Sequence, residues 1–473
     1  MSRFLSTLYR SHSLAPPWAL ALLLALAPLS LARAGEGAAE AQAFAQRVAQ
    51  ESLAYELVTS LTTEVGPRLA GTPEEARARR WAVDKLKALG FSNVRQEPFE
   101  LPVWRRGLEI AEITAPFPQP LAVTTLGGSV STGPEGVEGE VLSVATVAAL
   151  QGLPADAVAG RIVFVDEVMT RTQDGSGYGV AAAKRRTAAY AAHEKGALAV
   201  LIRSVGTHSH RLPHTGQMRR VTEPGDNPGV PAAALSAPDA DQLARVLARA
   251  GSARVRLVLT PQQRPAGKSA NVVAEIPGRL APQEIVLVGA HLDSWDLGTG
   301  AVDDGAGVAI VTAAAKHLMD AMPRGPARTV RIVLFGAEEV GLVGAKAYAE
   351  AHREELANHV IAAESDFGAG RIWRFDTGVG EGARDAALAL AQPMAVFGVV
   401  PGNDRARGGP DLKYLRESGV PVVTLLQNGL DYFDLHHTAD DTLDKIDPDD
   451  LAQNVAVYAA FLYQVANGGE LYR

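Results

Sequence analysis

Short apolar runs rich in valine and isoleucine alternate with helix-length segments along the second half of this chain, and the runs end on acidic or histidine clusters. EIVLVGA (284–290) leads into HLDSWD, TVRIVLFGA (329–337) into Glu338, and HVIAAE (359–364) into Asp366, with VDDGAG and LHHTADDT as further clusters. Such runs between helical segments predict a parallel sheet with crossover helices, in which functional groups gather at the carboxyl ends of the strands. Residues far apart in sequence are therefore expected at one crevice.

The rest of the pattern predicts an α/β fold with a mixed, largely parallel sheet flanked by helices and a smaller inserted α/β domain. EAQAFAQRVAQESLAYELVTSL reads as helical. In TPEEARARRWAVDKLKALGF, Thr72 is a cap, Pro73 opens the helix and Gly90 closes it, and the strand-like NVRQEPFELPVW follows. AGRIVFVDE, the helix AAAKRRTAAYAAHEKGA, LAVLIRSV, and then a strand and helix in GVPAAALSAPDADQLARVLARAG form the insertion. The expected organisation is residues 1–34 as a signal peptide, 35–126 as the first part of the main domain, 127–262 as the insertion and 263–473 as the remainder. Behind VDDGAG, where Gly305 and Gly307 permit a tight turn and close helix approach, a helix is expected from about Ala306 to Met322. At the C-terminus Asp447 caps a helix opened by Pro448, and the stripe Leu451, Val455, Tyr458, Leu462, Val465 reads as core.

Composition agrees with a large folded protein: 473 residues, 47% hydrophobic and 21% charged, can bury a substantial core. Arg3 and Arg10 precede an apolar run from Trp18 to Ala32, and Ala32-Arg33-Ala34 offers a small-x-small cleavage site before Gly35. That pattern predicts export, to the periplasm or beyond, with no membrane association after cleavage. Cleavage removes three arginines and no acids, deepening the net charge from −8 to −11. No basic stripe is left to hold a polyphosphate backbone, so nucleic acid is not an expected partner. With no cysteine in the chain, stability cannot come from disulfides.

Taken singly, each cluster has a plainer reading. HxD at a strand end is commonly a hydrogen-bonded surface pair, DDG a turn, and EE an acidic helix start. Their joint order at successive strand ends points instead to the donor set for two divalent cations about 3.5–4 Å apart. His291 and Asp366 are assigned to one ion, Glu339 and His437 to the other, and Asp303 to both. Three carboxylates against two dications leave one positive charge, which a bridging hydroxide neutralises. Zinc suits this mixture of imidazole and carboxylate, and cobalt or manganese would also fit. Glu338 is expected to be the general base beside the ligand Glu339. Asp293, two residues past His291 in an extended segment, is expected to accept the other ring N–H with its carboxylate.

HLDSWD, the DDG turn, AEE, ESD, and HH followed by Thr and Asp-Thr together resemble the M28 family of metallopeptidases, most closely its carboxypeptidase Q branch, from GPRLAGT (66–72) to near the C-terminus. The resemblance implies a co-catalytic zinc exopeptidase fold, metal ligands His291, Asp303, Glu339, Asp366 and His437, and Glu338 as catalytic base. His437 is preferred to His436 because it directly precedes Thr in HTxxDT, with His436 as the substitute. The insertion resembles a protease-associated domain, and its loop THSHRLPHTGQMRR, with His208, His210 and His214, reads as a polar loop rather than a ligand set. The branch carries a similar HTG here, so the loop could instead face the cleft. The implied activity is hydrolysis of small peptides as a dipeptidase or carboxypeptidase, with an aminopeptidase of the same family as the alternative. Arg405 and Arg407, ahead of Asp411, are candidates for a substrate carboxylate by position alone, and a solvated loop is their plainer reading. A one-metal glutaminyl-cyclase-like acyltransferase and a non-catalytic binding ectodomain are disfavoured because both half-sites are complete. A homodimer is left open.

Overall fold

The computed structural model describes residues 37–50, 53–219 and 226–473, so the leader expected over 1–34 lies outside the described residues. One sheet orders its strands Ser92–Arg105, Gln262–Ile276, Arg328–Phe335, Ala281–His291, His359–Glu364, Val422–Gln427, Ile372–Gly378 and Val400–Pro401. Its centre, from Arg328–Phe335 through Val422–Gln427, is parallel. The Ser92, Gln262 and Ile372 strands join it antiparallel. The parallel centre is what the apolar runs predict, and the antiparallel flanks make the sheet mixed and largely parallel.

The central strands are apolar on both faces because both are covered. Val330, Ile332 and Leu334 alternate with Val333 and Phe335. The first set shares a core with helices Ala306–Ala321 and Pro448–Asn467, and the second packs with Tyr348 and Leu415 on the other side. Val286 and Val288 against Leu287 repeat the division one strand over. Caps fall where the sequence puts them. Thr72 accepts from the Glu75 N–H at 3.2 Å to start Pro73–Ala88, and Asp447 accepts from Asp449 at 2.8 Å and Asp450 at 3.2 Å to start Pro448–Asn467.

A second sheet orders Gln119–Leu121, Glu109–Ala115, Arg254–Leu259, Val137–Val144, Ile162–Val165, Ala199–Arg203, Ala232–Leu235 and Val123–Thr125. Helices Ser176–His193 and Ala237–Ala250 belong to the same module. Its chain begins at Glu109, ahead of the expected boundary at Gly127. Pairing is the reason. Ser92–Arg105 runs antiparallel to Gln262–Ile276 in the first sheet, and Glu109–Ala115 runs antiparallel to Arg254–Leu259 in the second. Entry and exit therefore form one two-stranded ribbon that changes sheets near Arg106 and Pro261. EIAEITA, with two glutamates, carries too weak an apolar signal to be read as its first strand.

Candidate metal centre

The candidate side chains stand at or beyond the carboxyl ends of the central strands. His291 ends its strand, Asp303 lies just before helix Ala306–Ala321, Glu338 and Glu339 follow Phe335, and Asp366 follows Glu364. His437 lies past Val422–Gln427, beyond the short helix Tyr432–Leu435. The five expected ligands form one chain of contacts. His291 Nε2 is 3.5 Å from Asp366 Oδ1 and 3.0 Å from Asp303 Oδ1. His437 Nε2 is 3.3 Å from Asp303 Oδ2 and 3.0 Å from Glu339 Oε2. Asp303 is thus central, with one imidazole and one further carboxylate on either side. His436 Nε2 is farther from Asp303 Oδ2, at 3.7 Å, and its ring stacks on His437.

The supporting shell explains how these groups are held. Asp304 turns inward: its Oδ2 accepts the His291 N–H at 3.1 Å and its Oδ1 accepts the Gly307 N–H at 3.0 Å. A Cβ on Gly307 would lie 2.3 Å from that carboxylate and 2.1 Å from the Ser365 carbonyl, so the close approach requires glycine. Asp441, from the Asp-Thr of HHTADDT, accepts from the Val302 N–H at 2.6 Å and the Asp303 N–H at 3.3 Å. Arg68, fully buried in GPRLAGT, donates to the carbonyls of Leu292 at 2.6 Å and of Thr299 and Gly300 at 2.8 Å. It thereby clamps both ends of the loop between His291 and Asp303.

Asp293 differs from expectation. His291 Nδ1 donates to the Asp293 backbone carbonyl at 2.9 Å, while the carboxylate is 3.9 Å away. The strand ends at His291, so the two side chains are not presented on one extended face. The Asp293 carboxylate instead accepts the Glu338 N–H at 3.0 Å, tying the His291 loop to the Glu338–Glu339 turn. That turn carries two left-handed non-glycine residues, Ala337 (φ 60) and Leu342 (φ 58), conformations that surrounding structure must enforce. Arg405 and Arg407 are both exposed. A cation that the sequence reading passed over, Arg185 of helix Ser176–His193, is buried with its Nη1 3.4 Å from His437 Nδ1. His208 and His214 are also buried and in contact with each other, so their loop is not a free polar one.

Burial penalises charge on all of these groups. Against it, Glu339 and Asp303 push His437 up to about 10, and Asp366 and Asp303 hold His291 well above the usual imidazole range. The Asp303 carboxyl sits well below its usual range because its histidine partners outweigh burial. Burial raises Glu338 well above the carboxylate range, and the Asp366, Glu339 and Asp411 charges push the same way. Asp303 Oδ2, Glu339 Oε1 and His436 Nδ1 are buried without a hydrogen-bond partner. Ligand atoms of His291, Asp303 and Glu339, of Asp303, His436 and His437, and of His291, Asp304 and Asp366 lie within 4.8 Å of one another in each group. Orphaned acceptors beside imidazoles and crowded acids fit metal cations.

Residues 271–462 match the family model described as Peptidase family M28. Carboxypeptidase Q of Bos taurus is 35% identical over 424 residues, covering 89% of this chain and 87% of that protein. The chain belongs to the M28 peptidase family. The crystal structure of a Peptidase M28 precursor from Shewanella amazonensis SB2B superposes with a TM-score of 0.89 at 49% identity, covering 93% of this chain and 99% of that one. A zinc aminopeptidase from Bacillus subtilis shares the fold, with a TM-score of 0.63 at 19% identity over 88% of this chain and 95% of that one. As an M28 member the chain is a metallopeptidase with exopeptidase relatives. Among the described residues, no helix is long and apolar enough to cross a membrane.

In this M28 protein the cation-free His437 keeps a proton up to about pH 10. A cation taken up near neutral pH must therefore displace protons, and its affinity must fall as pH drops. Calorimetric titration with zinc in buffers of different ionisation enthalpy is expected to show net proton release near neutrality and weaker binding one pH unit lower. Uptake with no proton release would contradict ligation by the two raised imidazoles.

Proposed function

We propose that this chain is an exported exopeptidase for small peptides, a dipeptidase or carboxypeptidase, working with two divalent cations for which zinc suits the donor set. The observation that carries the reading is the unbroken line of contacts Asp366–His291–Asp303–His437–Glu339 with Glu338 alongside. Asp303 would serve both cations, His291 and Asp366 one, Glu339 and His437 the other. Bound there, the cations would acidify water and polarise the scissile carbonyl. Glu338 takes a proton from the attacking water and returns it to the leaving amine nitrogen as the peptide bond breaks. Asp293 fixes the Glu338 backbone for that task. The export reading rests on the leader pattern and requires a mature chain that starts at Gly35.

Preference for a free carboxyl terminus is supported by the similarity to carboxypeptidase Q and by Arg185. Its guanidinium is buried beside His437, makes no ion pair among the described residues, and has a buried Nε without a hydrogen-bond partner. When His437 Nδ1 carries its proton, that atom accepts nothing from Arg185. A buried cation in this state favours an incoming carboxylate.

Two outcomes are expected. Glu338→Gln lowers kcat by about 10²- to 10⁴-fold with metal content by elemental analysis unchanged, and full turnover in that variant would remove Glu338 as the base. Against a panel of free, N-blocked and C-amidated dipeptides, wild-type protein favours a free carboxylate, and Arg185→Met raises KM for those substrates by about 10- to 100-fold. Equal cleavage of C-amidated substrates would favour an aminopeptidase.

A further inference from the structure

The inserted domain grips the segment that carries His437. Thr207 N–H donates to the Phe433 carbonyl at 3.1 Å, the Gly429 N–H donates to Gln173 at 2.9 Å, and Arg171 pairs with Asp434 at 2.6 Å. At the histidines the contacts become reciprocal. The Thr215 N–H donates to the His437 carbonyl at 3.0 Å, and His437 Nδ1 lies 3.2 Å from the Thr215 carbonyl. His214 Nδ1 lies 2.6 Å from the His436 carbonyl. His437 itself is left-handed, with φ 63, a conformation that costs a non-glycine residue energy and persists when neighbours enforce it. Gly216 completes the fit, because a Cβ there would lie 2.7 Å from His437 Nδ1 and 2.4 Å from Arg185 Nη1.

Proton positions follow from the hydrogen bonds. The His210 N–H donates to His208 Nδ1 at 2.8 Å, so neutral His208 carries its proton on Nε2. That atom is 2.8 Å from His214 Nε2, which must then accept. The His214 proton is left on Nδ1, aimed at the His436 carbonyl. One assignment satisfies all three contacts. When His437 is neutral, as a ligand must be, a proton on Nδ1 is accepted by the Thr215 carbonyl and Nε2, the atom facing Asp303 and Glu339, is free to bind a cation.

We infer that His214 and Thr215 are positioning residues for His437, with His208 fixing the His214 tautomer, so that the inserted domain sets the affinity of one of the two cation sites. The inference rests on the two-cation reading above. The inserted domain then helps to hold the metal centre. The anchoring runs deep: the His214 N–H donates to Ser204 Oγ at 2.9 Å, and Thr215 Oγ1 donates to the Thr125 carbonyl at 2.8 Å, both within the second sheet's domain.

Zinc-loaded full-length protein, titrated with a chromophoric chelator, tests this. Wild type is expected to release two zinc ions. His214→Leu is expected to weaken one of them by about 10- to 100-fold and leave the other unchanged, in a metal-free protein that still melts cooperatively. His208→Phe, which removes the donor to His214 together with the acceptor of the His210 N–H, shifts the same ion in the same direction. His214→Asn, whose amide nitrogen can take the place of Nδ1, recovers most of the loss. Two ions with wild-type affinity in His214→Leu would overturn the inference. So would equal weakening of both ions, which signals damage that is not confined to the His437 site. Wild-type protein that takes up a single ion would instead overturn the two-cation reading, and this inference with it.

Discussion

Carboxylates crowded inside a protein repel one another, and two unit charges 4 Å apart interact by about 4 kcal/mol even at an effective dielectric of 20. Asp303, Asp304 and Glu339 are buried and Asp366 nearly so, in one pocket where Arg68 is committed to backbone carbonyls. Without cations the pocket balances much of its charge with protons, alongside the guanidinium of Arg68. It does so by keeping His291 and His437 charged and by raising Glu338, Glu364 and Asp411 well above the carboxylate range through burial and mutual repulsion. Divalent cations bound there would relieve the same constraint and release the imidazoles as ligands. The requirement for positive charge among these acids is what the rest of the architecture serves.

The parallel core delivers the acids and imidazoles to one end by geometry alone, since every central strand points the same way. Precision comes from longer connections. Arg68 and Asp441 hold the Asp303 loop from the N- and C-terminal parts of the chain, Asp293 couples the His291 loop to the Glu338 turn, and Thr215 holds His437 from the inserted domain. Each tie links an element that brings a candidate ligand to a partner outside that element.

The local grammar of the chain was readable. Thr72, Pro73, Asp447 and Pro448 mark helix starts through chemistry contained within a few residues, and the Val/Ile runs announce the central strands because both sheet faces are apolar. His291, Glu339 and Asp366 stand out as candidate ligands because they closely follow such runs, and Asp303 and His437 because of the VDDGAG and LHHTADDT clusters. What sequence did not disclose lies in pairing and in contacts across long separations. The insertion starts at Glu109 because that strand meets Arg254–Leu259, which no local pattern in EIAEITA records. The His214–His436 contact spans 222 positions, and Arg68 reaches Thr299 across 231. Asp293 took a different partner because its strand stops at His291, a boundary that the apolar pattern fixes only loosely.

Anomalous diffraction at the zinc edge, from crystals of zinc-loaded protein, tests the central claim most directly. Two peaks about 3.5–4 Å apart, on either side of the Asp303 carboxylate and within bonding distance of His291 and His437, are the predicted result. A single peak, or peaks remote from Asp303, would contradict it.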